Sequence, residues 1–159
     1  MKQKLTYSLW DVLLASTTQP ISEEKRQRQL TRMYIALDQI EKGDNPTVDD
    51  LALVSDAVEL TNRFHGEWVT TFGIDDELMG IISEARESLL NSYSRYQNGA
   101  NIRLTGKGMQ SVRDVMHHYY LLINSMPERN VLQLHRATEL ANIKSLKEGN
   151  AVILKGTVS

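Results

Sequence analysis

Pro46-Thr47-Val48-Asp49-Asp50-Leu51-Ala52-Leu53-Val54-Ser55-Asp56-Ala57-Val58-Glu59-Leu60-Thr61-Asn62-Arg63-Phe64 is the stretch on which the fold turns. Thr47 followed three residues later by Asp50 is a capping pattern, in which each side chain accepts from the other residue's backbone N–H. Leu51, Val54, Ala57, Val58 and Thr61 then recur at helical spacing, and Leu53, Leu60 and Phe64 widen the stripe into an arc. So broad an arc belongs to a helix buried on more than one side. The remaining polar strip carries Asp49, Asp56 and Arg63, with Glu59 four residues before Arg63 in the favourable order for an ion pair. A helix of this kind needs other helices around it.

The flanking sequence supplies four. Upstream, Ser22 is an N-cap followed by Glu23 and Glu24, where the positive end of the helix dipole favours acids. Leu30, Met33, Leu37 and Ile40 form its stripe, and Lys42-Gly43 is a stop. Downstream, a helix opens at Asp75, with Ile74 and Met79 placed as a hydrophobic staple. Leu78, Ile81, Ile82, Ala85, Leu89, Tyr93 and Tyr96 line it before Gly99. The next follows Thr105 and runs through Met109, Val112, Val115, Met116, Tyr119, Ile123 and Met126. The last is read from Ser125-Met126-Pro127-Glu128 as a capping box, with Val131, Leu134, Ala137, Leu140, Ala141 and Ile143 inward and Gly149 ending it.

Only the ends resist a helical reading. Leu5, Tyr7 and Leu9 alternate, whereas Leu9, Val12 and Leu13 are helix-spaced; Ala151-Val152-Ile153-Leu154 is β-prone, a short strand or an extended arm. The expectation is therefore one domain over residues 1–159, all-α, a compact bundle of about five helices. Residues 1–20 and 150–159 form its arms.

Composition narrows the class. The 159 residues contain no cysteine, which removes disulfides, thiolate catalysis and Cys-ligated zinc together. No apolar run approaches the roughly 20 residues that span a bilayer. Met1-Lys2-Gln3-Lys4 resembles the start of a signal peptide, but Asp11 interrupts the apolar run from Leu9 to Ala15, and no small-x-small cleavage site follows. A soluble, cytoplasmic protein is expected.

Candidate chemistry is sparse. His117 and His118 are adjacent and diverge by about 100° on a helix, so they cannot chelate one ion together, and no His-x-x-x-His or Glu-x-x-His pair accompanies them, His65 or His135. Leu104-Thr105-Gly106-Lys107-Gly108-Met109 hints at a phosphate loop, but Asn101 stands where its first glycine belongs and Gly108 where a Mg²⁺-binding hydroxyl belongs. No Gly-x-Ser-x-Gly turn and no inward Glu-x-x-His pair accompany the serines and carboxylates. The chain is read as no enzyme, with no cofactor and no metal.

Charge carries more. Thirteen carboxylates between Asp38 and Glu87 stand against three cations, a local charge of about −10 in a chain whose total is −2. Trp68 and Phe72 are expected in a connection between two helices, ringed by Asp56, Glu59, Glu67, Asp75, Asp76 and Glu77. An aromatic anchor inside a charged rim is a common division of binding energy and steering, and it implies a protein partner with a basic surface. The alternative is nucleic acid, held by Lys25, Arg28 and Arg32 with Arg103 and Lys107, although the acidic middle would repel a duplex.

Tyr34-Ile35-Ala36-Leu37-Asp38, then Pro46 through Leu51 and Val54 through Leu60, resembles small helical proteins of phages, prophages and plasmids. The resemblance implies a bacterial mobile element and a small accessory protein acting on host machinery, as anti-CRISPR-type inhibitors do. The expected function is therefore non-enzymatic inhibition of a host nucleic-acid-binding defence complex through an acidic surface, with a DNA-binding regulator as the alternative.

Overall fold

The computed structural model describes residues 5–72, 77–150 and 152–153, and the backbone alone for 68–72. Among the described residues six helices follow one another: α1 (Leu9–Leu14), α2 (Glu23–Lys42), α3 (Val48–Phe72), α4 (Glu77–Gln97), α5 (Gly106–Ser125) and α6 (Glu128–Lys147). The all-α bundle is what the helical spacing predicts. α3 is its axis, in contact with α2, α4, α5 and α6. Its Leu51, Ala52, Val54, Ala57, Val58 and Leu60 are buried, so the wide apolar arc meets protein on several sides.

Local chemistry sets most helix ends. The Ser22 hydroxyl accepts from Lys25 N, and Thr105 accepts from Gly108 N at 3.1 Å. Thr47 and Asp50 form the reciprocal box, with Thr47 N donating to Asp50 Oδ2 at 2.8 Å and Asp50 N to the Thr47 hydroxyl at 3.2 Å. Gly99 and Gly149 have φ of 93° and 82°. After each, the next N–H reaches back, from Ala100 to Arg95 O and from Asn150 to Ser145 O, both at 3.0 Å. These left-handed closures are open to glycine at little cost.

The N-terminal arm, whose type the sequence leaves open, contains a helix, α1, boxed by Ser8 and Asp11 and seated against α6. Two expectations need correction. Ser125 is no cap for α6: it ends α5 and donates its hydroxyl to Leu121 O at 2.8 Å. Pro127 stands at the N-cap and makes no side-chain cap bond. Instead the first free donors of α6, Glu128 N and Arg129 N, reach the carbonyls of Gln19 and Ser16 at 2.9 and 3.0 Å. A docked chain segment does the work of a side chain. Leu140, expected inward, is 43% exposed, and Leu132 and Thr138 are buried on α6 instead.

α4 begins at Glu77, while Ile74, Asp75 and Asp76 lie outside the described residues, and with them the predicted staple. Of the β-prone run, Val152 and Ile153 have no regular structure and Ile153 is buried; 151 and 154 lie outside the described residues. Among the described residues, no helix is long and apolar enough to cross a membrane.

Candidate functional site

Part of the acidic span is taken up in ion pairs, both with cations inside it, Lys42 and Arg86, and with Lys107 and Arg113 of the basic flank that follows. Asp38 pairs with Lys42 at 3.5 Å, Glu84 with Lys107 at 3.3 Å, and Glu41 with Arg113. Glu59 does not use Arg63, its neighbour on α3: it accepts from Arg86 Nε of α4 at 2.6 Å. A carboxylate beside a second helix finds its cation across the interface as readily as along its own axis. Asp56 sits in a cleft with Lys25, Arg28 and Arg32. Glu67 and Glu77 remain exposed at the α3–α4 corner.

Trp68 and Phe72 are not in a connection. α3 continues through both of them, so they occupy its last two turns. No helix-stopping residue lies between Phe64 and Phe72 except Gly66, and a single glycine costs only about 1 kcal/mol.

The basic set is scattered by the fold. Lys25, Arg28 and Arg32 share one side of α2 and line a cleft of about 380 Å³ closed by Tyr7 and His135. Arg28 reaches Glu24 at 3.7 Å. On the floor, the Gln29 amide lies 2.7 Å from the Tyr119 hydroxyl, to which it donates, and 2.8 Å from His135 Nε2. Tyr7 packs edge-on against His135 with ring centroids 5.6 Å apart. Burial, then the carboxylates of Glu139, Glu128 and Asp11, push the Tyr7 hydroxyl above its ordinary pKa. The cleft thus holds both signs of charge. Arg103 is elsewhere: its guanidinium donates to Gly43 O at 2.8 Å and Ile102 O at 3.0 Å, tying two connections together.

The surface the sequence reading missed is α1. Leu9, Trp10, Leu13 and Leu14 are 56%, 72%, 51% and 81% exposed, at i, i+1, i+4 and i+5 of one short helix. Val12 and Ala15 bury the opposite side. Arg129 fixes the helix to α6, donating from Nε to Val12 O at 3.1 Å and from Nη2 to Leu13 O at 2.6 Å. The signal was present in Leu-Trp-Asp-Val-Leu-Leu, apolar all round apart from Asp11, which leaves one face without a partner in the bundle. Among the described residues, no three His, Cys, Asp or Glu side chains are placed to hold a metal ion.

The class that fold and surface define is a helical bundle with an apolar helix displayed at one end. Compared with protein-family models, curated proteins and solved structures, the chain matches none.

Proposed function

We propose that the protein is a non-enzymatic binding module, an accessory protein of a mobile element that docks on a host protein with a basic surface, such as a nucleic-acid-binding defence complex. The observation that carries this reading is the outward face of α1. Four large apolar side chains at those exposures present on the order of 500 Å², the size of a patch that is often functional on a monomer. Asp11, Glu128 and Glu139 cluster by its foot around Tyr7, which supports a basic rim on the partner. The exposed Glu67 and Glu77 add to the same field from the α3–α4 corner.

The test is affinity capture from the native host, followed by titration of the purified partner against two variants. Trp10→Ser with Leu14→Ser should abolish binding, while Glu67→Lys with Glu77→Lys should slow association and reduce its salt dependence. Undiminished binding by the α1 variant overturns the assignment. Concentration-dependent self-association removed by the same substitutions would give α1 to a second copy of this chain instead.

A nucleic-acid reading has one observation in its favour, the shared side of α2 that carries Lys25, Arg28 and Arg32. It predicts retention on duplex DNA at low salt, weakened by Arg28→Ala with Arg32→Ala. Asp56, Glu128 and Glu139 on the same cleft, and the engagement of Arg103 and Lys107 elsewhere, make it the second choice.

A further inference from the structure

The outward stripe of α2 is complementary to its own reverse. Glu24, Arg28, Thr31, Ile35, Asp38 and Lys42 follow one another at steps of four, three, four, three and four residues, the spacing that keeps one face of a helix along a second helix. All six are exposed. Laid antiparallel on a copy of itself, with a twofold axis passing the helix at Met33, the stripe sets Glu24 against Lys42, Arg28 against Asp38 and Thr31 against Ile35. A twofold axis makes each of these contacts twice. A parallel copy would set every charge against its like. The charges are also open to a second neighbour: Glu24 and Arg28 stand 3.7 Å apart, Asp38 and Lys42 3.5 Å apart, and their side chains are 63% to 84% exposed. A facing copy would join the two pairs into a network of four charges, which holds better than an isolated exposed pair.

Between these charged ends the surface is nearly neutral. Ile35, 56% exposed, lines an open groove with Tyr34 and with Tyr120 of α5, each 40% exposed, and Asp38 is the one charged group lining it among the described residues. Loss of charge and enrichment in tyrosine mark the centre of protein contacts. Such a face offers no net charge to steer a basic protein or a phosphate backbone, whereas a second copy needs none. The 20 residues of α2 span about 30 Å, and with the α5 edge the face covers on the order of 600 Å². Two such faces bury about 1,200 Å², the lower end of what a specific dimer buries. We propose that this face of α2 is a homodimer contact, two copies crossing antiparallel along the stripe as a weak, salt-sensitive dimer. α1 takes no part in it, so the dimer would display two apolar helices at once, and its failure would leave the docking proposal untouched.

Sedimentation equilibrium of the full chain, at low and at high salt, follows mass against concentration. Expected is a monomer–dimer equilibrium that weakens as salt rises. Arg28→Glu and Asp38→Arg, each alone, bring like charges face to face at both symmetry-related contacts and should weaken association about tenfold or more. Mixing the two variants restores opposite charges at both contacts and should recover a mixed dimer, a rescue that also shows both chains to be folded. Trp10→Ser with Leu14→Ser should leave the dimer intact. A monomer at every concentration, a mixture no more associated than either variant alone, or a dimer lost with the α1 substitutions overturns the inference.

Discussion

Gly108 of α5 faces Ser88 of α4 so closely that a β-carbon on Gly108 would stand 2.4 Å from the Ser88 hydroxyl and 2.8 Å from its β-carbon. The glycine that suggested a phosphate loop in the sequence is there because two helices meet at it. Nothing larger than hydrogen fits, and the Ser88 β-carbon cannot swing aside as the end of a long side chain would.

Gly108→Ala should therefore destabilise the fold by about 1–2 kcal/mol, overpacking outweighing the gain in helix propensity. Ser88→Gly in the same chain should restore at least about 0.5 kcal/mol beyond additivity. Chemical denaturation of the two single variants and the double variant measures the coupling. Additive losses would mean that the two residues do not collide.

Arg129→Ala should free α1. Two charge-assisted bonds to Val12 O and Leu13 O are lost, and a six-residue helix does not persist without tertiary support. Amide exchange over residues 9–15 should quicken by an amount equivalent to about 1–3 kcal/mol, with α3 and α5 little changed. Partner binding should weaken together with that loss of protection. Retained protection at Val12 would disprove the clamp.

Stability should fall above about pH 10. Tyr119 is fully buried, and burial raises its hydroxyl well above the ordinary 10.0, so the native state keeps a proton that the unfolded chain gives up. Its contribution is complete below pH 10 and drains away as pH climbs from the unfolded value towards the folded one, at about 1.4 kcal/mol per pH unit. Tyr119→Phe should flatten the alkaline limb and, near neutral pH, cost about 0.5–1.5 kcal/mol through the bond lost from Gln29. An identical alkaline limb in the variant would assign the titration elsewhere.

Thr47→Ala should cost about 1 kcal/mol, the usual worth of an N-cap. Ser125→Ala should change stability by less than about 0.5 kcal/mol, because that hydroxyl bonds to the Leu121 carbonyl one turn back and caps nothing. Equal losses would restore Ser125 to the capping role its sequence context suggests.

Much of the architecture was legible before the fold was known, and the reason is range. Ser22, Thr47 and Thr105 announce helix starts, and Gly99 and Gly149 announce ends, because each acts on backbone groups within five residues of itself. The arc of Leu51 to Phe64 placed α3 at the centre, because hydrophobic spacing reports directly on how much of a helix surface must leave water. Where a short-range signal misled, a distant partner had replaced it. α6 starts on the carbonyls of Ser16 and Gln19, supplied by a segment over a hundred residues upstream.

Charge and apolar exposure were not legible, since both depend on distance through space. A run of carboxylates looks like one acidic patch until Arg113 and Lys107 arrive from α5 and Arg86 from α4 to divide it. Leu9, Trp10, Leu13 and Leu14 look like any apolar helix until the bundle closes without covering them. The linear order of residues determined which segments coil and which faces seek burial; only tertiary contact decided which charges stay unpaired and which apolar face stays outside, because Coulomb energy and solvent exclusion are set by spatial neighbours that position along the chain does not encode.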